Sequence, residues 1–191
     1  IRRQRQMCIR DRGHLAQQLG PVVVDEPDGR APHRGAAALR QDNAGIASGI
    51  ATAYLTALAL HGESDVMIGR LLDFVGDLSE EFNAKVRQVE EVLAKDPDDA
   101  FAVLGEGWVG DEAVADALYC FLRSPDDYRR TVLTGANTQG DSDSIACIAG
   151  AVSGAYNGIA GLPAAWVATV ENHELLATTA RHLADVEESQ S

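Results

Sequence analysis

The sequence predicts an all-α protein, a compact multi-helix bundle, and three observations carry that expectation. Apolar residues recur at three- and four-residue spacing in one segment after another. Helix-start residues stand immediately ahead of several of those segments. Residues 22–24 alone read as strand, too short and isolated to imply a sheet.

Residues 43–60 hold Ile46, Ile50, Tyr54, Leu55, Leu58 and Leu60 among alanines and glycines. They are apolar almost all round, which describes a buried central helix whose small residues admit close neighbours. Ser64 reads as the cap of a helix carrying Val66, Met67, Ile68, Leu71, Leu72, Phe74 and Val75. Ser79 reads as the cap of the next, with Phe82, Val86, Val89 and Val92 at helical spacing. Asp96-Pro97 and Ser124-Pro125 each join an N-cap residue to a first-turn proline, so each predicts a helix start. Further helices are expected over residues 111–122 and 144–157, from Pro163 toward Val170, and over residues 173–186. Residues 13–41 hold three of the six prolines and read as an irregular loop.

With 191 residues and 46% apolar content the chain can form one core, and residues 13–191 read as a single helical domain. Residues 1–12 carry five arginines against one aspartate without apolar periodicity. They read as a leader foreign to the rest, with a basic arm for nucleic acid as the alternative. No apolar run reads as long enough to cross a bilayer, and a net charge of −13 opposes docking on phosphate backbones or anionic lipid. A soluble cytoplasmic protein without nucleic-acid or membrane partners is expected.

Cys8, Cys120 and Cys147 are odd in number and widely spaced, and the last two sit in apolar helical contexts, so they read as reduced core residues. His14, His33, His61, His173 and His182 never fall at metal-ligand spacing, and no Gly-x-Ser-x-Gly elbow is present. Gly105-x-Gly107-x-x-Gly110 matches the dinucleotide pattern by letter but lacks alternating strands and helices around it. It reads instead as a helix C-cap and connecting turn, with Trp108 as a packing anchor and Trp166 as core.

The stretch that carries chemistry is Asp141-Ser142-Asp143-Ser144. In the irregular turn before a helix, two carboxylates two positions apart can converge, and Ser144 can add a neutral oxygen. An all-oxygen set suits Mg²⁺, Mn²⁺ or Ca²⁺ rather than zinc. The competing reading is an ordinary acidic N-cap and first turn. An EF-hand is excluded, because Ile145 occupies its third ligand position and Cys147 replaces its glycine.

Around that tetrad, the segment from Ala136-Asn137-Thr138-Gln139-Gly140 through Gly154-Ala155-Tyr156-Asn157-Gly158 to Leu162-Pro163 and Trp166 resembles the C-terminal signature of the ADP-ribosylglycohydrolase family. Gly105-Glu106-Gly107-Trp108-Val109 and the helix ending Ala117-Leu118-Tyr119 resemble the stretch that precedes it. The resemblance implies an all-helical enzyme with a pair of divalent ions, usually Mg²⁺. Such enzymes hydrolyse the glycosidic bond between ADP-ribose and a protein side chain or small acceptor, so an ADP-ribosylated protein or an ADP-ribose-containing small molecule is the implied partner. Asp141 and Asp143 match the family's metal-binding aspartates, Ser144 matches the neighbouring Thr/Ser ligand, and Asp143 is the one catalytic candidate. Gln139 departs from the glycine many members carry. The family's N-terminal acidic metal motif is not found; Asp77, Asp98-Asp99 and Asp126-Asp127 are its nearest imitations, and the last two pairs read as acidic first turns. The chain is therefore expected to be the C-terminal part of a longer enzyme. A non-catalytic ADP-ribose-binding or interaction module retaining half of the metal site is the rival.

Overall fold

The computed structural model describes residues 36–189, with side chains from 43 to 183, and residues from Arg40 onward form one compact unit. The expected strand at 22–24, the leader, the proline-bearing part of the expected loop, Cys8, His14 and His33 lie outside the described residues, and the end of that loop, residues 36–41, is corrected to helix. Among the described residues there are nine α-helices, one 3-10 turn and no strand. In order they are α1 (Ala36–Leu60), α2 (Met67–Val75), the 3-10 turn Gly76–Leu78, α3 (Glu80–Val92), α4 (Pro97–Leu104), α5 (Gly110–Arg123), α6 (Tyr128–Ala136), α7 (Ser142–Gly161), α8 (Ala164–Thr169) and α9 (His173–Ser189).

The helix buried all round is α5, where every residue from Ala113 to Phe121 is inaccessible. Helices α3, α4, α6 and α7 all pack on it. The expectation that residues 43–60 form the central helix is corrected. In α1 only one face, Ala44, Ala47, Ser48, Ala51, Leu55, Leu58 and Ala59, is buried, while Ile46 and Leu60 are 52% and 68% exposed. The expectation about membrane length is corrected too, since Asn43–Leu60, with mean hydropathy 1.3, is long and apolar enough to span a bilayer. Its inner face belongs to the core cluster with α2, α3, α5 and α7.

Side-chain chemistry sets the helix boundaries. The Ser79 hydroxyl accepts the Phe82 amide at 3.2 Å, as expected of an N-cap, and Phe82, Val86, Val89 and Val92 then fall on one buried face. Each such side chain contributes roughly 1.5–3 kcal/mol on burial. Ser64 does not cap α2: the helix begins two residues after Asp65, and the Ser64 hydroxyl turns to the Asp65 carboxylate. Asp96 precedes Pro97 at the start of α4 but makes no side-chain cap; its carboxylate pairs with Arg123 at 3.1 Å. Arg123 also donates to the Lys95 carbonyl, and Tyr119 donates to that carbonyl at 2.8 Å, so α5 straps down the α3–α4 connection. Ser124-Pro125 does not open a helix. The cap of α6 is Asp127, whose carboxylate accepts the Arg130 amide at 2.9 Å, while the Ser124 carbonyl accepts from Thr131 and the Pro125 carbonyl accepts from Asn157 at 2.7 Å.

Helix α7 is longer than expected, and Gly158, at φ 65° and ψ 176°, breaks it near its end. Small residues bring α6 and α7 together: a Cβ on Gly135 would lie 3.2 Å from the Ala146 backbone, and one on Gly150 would lie 3.4 Å from Val132. Trp166 is half-buried and meets the Tyr128 ring edge-on at 6.2 Å. Cys120 is buried as expected; Cys147 is exposed, because it points away from the face of α7 that carries Ile145, Ala149 and Val152.

One carboxyl sits inside this core. Asp116 is fully buried on α5, and both its oxygens lack a hydrogen-bond partner among the described residues. Burial first, then Glu112, pushes it from 3.8 up to about 8, with Lys85 pulling part of the way back. The folded chain thus holds a proton that the unfolded chain has released above 3.8. The site's contribution to stability is full below that pH, falls by about 1.4 kcal/mol per unit as pH rises, and is lost above about 8. Asp116→Asn should therefore flatten the decline of thermal stability between pH 5 and 8, followed by circular dichroism; wild-type and variant curves that stay parallel would contradict this assignment.

Candidate metal centre

Asp141 is the residue immediately before α7, with φ −74° and ψ 68°, and Asp143 and Ser144 lie in the first turn. The turn is held from both ends. The Asp141 amide donates to the Glu106 carbonyl at 2.8 Å, and the Ile145 amide donates to the Asp141 carbonyl at 3.2 Å. Ile145 is fully buried and acts as the nail of the turn. Against it packs Gly107, at φ 75°, where an added Cβ would meet Ile145 Cδ1 at 2.7 Å. Gly140 is equally constrained, because its Cβ would collide with the Glu106 carbonyl.

The tetrad does not behave as an ordinary cap. Ser79 and Asp127 each accept a backbone amide, whereas the Asp141 side chain makes no capping hydrogen bond of normal geometry. Its carboxyl is instead held below the usual range, chiefly by the Asp143 side chain and next by the Ser144 hydroxyl, with burial opposing and the nearby Ser144 amide adding least. Two carboxylates and a hydroxyl thus stand together at one helix start. This set is all hard oxygen and fits a hard divalent cation, supplying about half of the six or more ligands such an ion takes. Among the described residues no group of three or more His, Cys, Asp or Glu side chains is placed to hold a metal, so the turn offers a partial shell.

The structure also sorts the remaining acidic residues. Asp77 lies in the 3-10 turn after α2, and Asp98 and Asp99 form the acidic first turn of α4 as expected. Asp127 is a cap and Asp126 precedes the helix. Asp98 nonetheless reaches the neighbourhood of the tetrad. With Phe101, Glu106, Thr138, Gln139 and Gly140 it lines a cavity of about 210 Å³ beside the turn, into which the residue that departs from the family glycine, Gln139, is built. Sequence reasoning missed Glu106, whose contribution is a backbone carbonyl. It also made Trp108 a packing anchor; Trp108 is 66% exposed, with its indole nitrogen donating to the Glu106 carboxylate at 2.9 Å. Gly105 does cap α4, its amide donating to the Phe101 carbonyl at 2.9 Å.

A pair of glycine substitutions tests how the turn is held. Gly140→Ala should destabilise the chain by about 1–3 kcal/mol, since the methyl group displaces the Glu106 carbonyl. Gly49→Ala, on an exposed face of α1 with nothing within 4 Å, should stabilise it by about 0.5–1 kcal/mol. Urea unfolding checks both, and equal effects at the two positions would refute the close approach at Gly140.

The chain matches the ADP-ribosylglycohydrolase family over residues 29–191. It is similar to ADP-ribosylhydrolase ARH3 of Homo sapiens, at 30% identity over 148 residues, 61% of this chain and 41% of that protein. The Bos taurus ADP-ribosylhydrolase ARH3 is 32% identical over 106 residues, 49% of this chain and 29% of the relative. A protein of Archaeoglobus fulgidus is 28% identical over 158 residues, 83% of this chain and 49% of the relative. The chain spans less than half the length of these relatives. With a family match that takes in every described helix and the tetrad at the head of α7, the chain belongs to the ADP-ribosylglycohydrolase family.

Proposed function

We propose that this chain takes part in hydrolysing the glycosidic bond between ADP-ribose and a protein side chain or small acceptor, with Mg²⁺ as the assisting ion. The single observation that carries the reading is the placement of Asp141, Asp143 and Ser144 together at the start of α7, on a chain of this family. These three residues would hold the ion, one of a pair in the complete site. The chemistry a Mg²⁺ pair supplies when bound is orientation of the ribose hydroxyls and activation of water.

The residues' own contributions follow from charge and placement. Breaking the bond leaves positive charge on the ribosyl carbon, and two carboxylates on one rigid turn stabilise that charge without reorganising. Asp141, tied by its amide to Glu106, sets the position of the turn. Asp143 is the exposed member, free to take a proton from the attacking water on a carboxylate oxygen. The Ser144 hydroxyl can hydrogen-bond a ribose hydroxyl in either sense. Substrate would be an ADP-ribosylated protein or an ADP-ribose-containing small molecule. The net charge of −13 speaks against nucleic acid or a membrane surface as partner, and the unpaired Cys120 and Cys147 favour the cytoplasm. A second reading, a non-catalytic ADP-ribose-binding module, is favoured by the partial ligand shell among the described residues.

Mg²⁺ titration calorimetry on wild type, Asp141→Ala and Asp143→Ala tests the site directly. Saturable heat should appear with wild type and vanish in both variants, and release of ADP-ribose from a modified protein should fall on the order of 100-fold or more in either. Identical weak heats from all three proteins would sink the metal reading, and saturable binding without ADP-ribose release would favour the binding module.

A further inference from the structure

Helix α5 carries two carboxyl groups one turn apart, and the proposed chemistry uses neither. Asp116 is wholly enclosed, while Glu112, four residues earlier, is half-buried. Side chains at that spacing lie on one face of a helix, so two negative charges there repel. Among the described residues, the charged groups that act on Asp116 are Glu112 on its own helix and Lys85 on α3, with none from α4, α6 or α7. Cys120, one turn further along α5, is buried and un-ionised. One ammonium group thus faces two carboxyls, and the enclosed carboxyl keeps its proton. Glu112 also touches the support of the acidic turn. A Cβ on Gly105 would lie 2.6 Å from Glu112 Oε1, so the end of the Glu112 side chain rests against the Gly105 backbone. Gly105, at φ 119°, closes α4, and the next residue gives its carbonyl to the Asp141 amide at 2.8 Å. A line of neighbours therefore runs from Asp116 through Glu112 and Gly105 to the head of α7.

We propose that Glu112 is a positioning residue for the acidic turn, braced against Gly105, and that the proton on Asp116 keeps it there. The inference rests on the reading of Asp141, Asp143 and Ser144 as metal ligands. With Asp116 neutral, Glu112 meets no like charge beneath it and stays on Gly105, and the Glu106 carbonyl stays aimed at the Asp141 amide. When the proton leaves, two carboxylates one turn apart repel, and the half-buried one is the one with a way out to water. Glu112 swings off, the loop loses its backing, and the tether to Asp141 slackens. Metal affinity at the turn is then full while Asp116 is protonated and falls as pH rises through about 8.

Two readouts separate the brace from the metal reading. Trp108 lies on the same loop, and the chain has two tryptophans, so Trp166→Phe leaves it as the sole indole fluorophore. In that background, without metal, its emission should change as pH rises, with a midpoint at about 8. Adding either Asp116→Asn or Glu112→Gln, which removes one of the two charges while keeping its shape, should abolish that change. Mg²⁺ affinity, by calorimetry, should fall about fivefold or more across the same range in the wild-type protein and stay level with pH in both variants. Emission that ignores pH in the parent protein, or that responds equally in parent and variants, overturns the brace. A response abolished by Asp116→Asn and kept in Glu112→Gln takes Glu112 out of the path and overturns it too. Saturable Mg²⁺ heat that ignores pH while the emission responds overturns the positioning role. An emission change abolished by both variants, with no saturable Mg²⁺ heat from any protein, supports the brace and overturns the metal reading.

Discussion

The hydrogen bond from the Asp141 amide to the Glu106 carbonyl is the constraint on which the site depends. It joins two segments far apart in the chain, the connection leaving α4 and the turn entering α7, and it forms only because Gly140 carries no side chain at the point of approach. Ile145 drives the same turn into the core, so the carboxylates sit on a support made of buried apolar packing. A ligand turn at a helix start costs little to keep rigid when its amide and its first apolar residue are both already committed. That is why Asp141 can leave its side chain uncommitted to capping and close to Asp143 and Ser144.

Behind the turn, α5 plays the part of a central post. Its run of inaccessible residues from Ala113 to Phe121 is surrounded on several sides, and the polar groups it brings inside are answered unevenly. Tyr119 and the half-buried Arg123 use theirs to grip the Lys95 carbonyl, with the guanidinium 5.9 Å from the centre of the Tyr119 ring. Asp116 has no such partner among the described residues and resolves the conflict by keeping its proton. Burial first, and Asp116 after it, raise the neighbouring Cys120 thiol, which leaves that cysteine an inert packing group.

Much of this was legible in the residues. Helix class and the Ser79 cap both follow from local spacing and chemistry. What escaped depends on tertiary context. Residues 43–60 and 113–121 are both apolar, and composition alone does not say which is enclosed by neighbours. Asp96 and Ser124 have the right letters for caps, but Arg123 claims the carboxylate of one, and Asp127 stands closer to the helix than the other. The place of Glu106 was beyond any side-chain argument, since a backbone carbonyl has the same chemistry in every residue. Trp108 was misread for a related reason: a tryptophan is ordinarily worth burying, and only the geometry of Gly107 against Ile145 turns it outward.

The outer face of α1 carries Ile46, Ile50, Ala53, Ala57 and Leu60 at alternating four- and three-residue intervals, and no charge interrupts residues 43–60. That is the seam of a two-stranded coil without the flanking ions that ordinarily choose its mate. Such a strip discriminates poorly among helical neighbours of either direction. An apolar strip of this kind is a place where a charge, as in Ala53→Glu or Ala57→Glu, would guard against self-association.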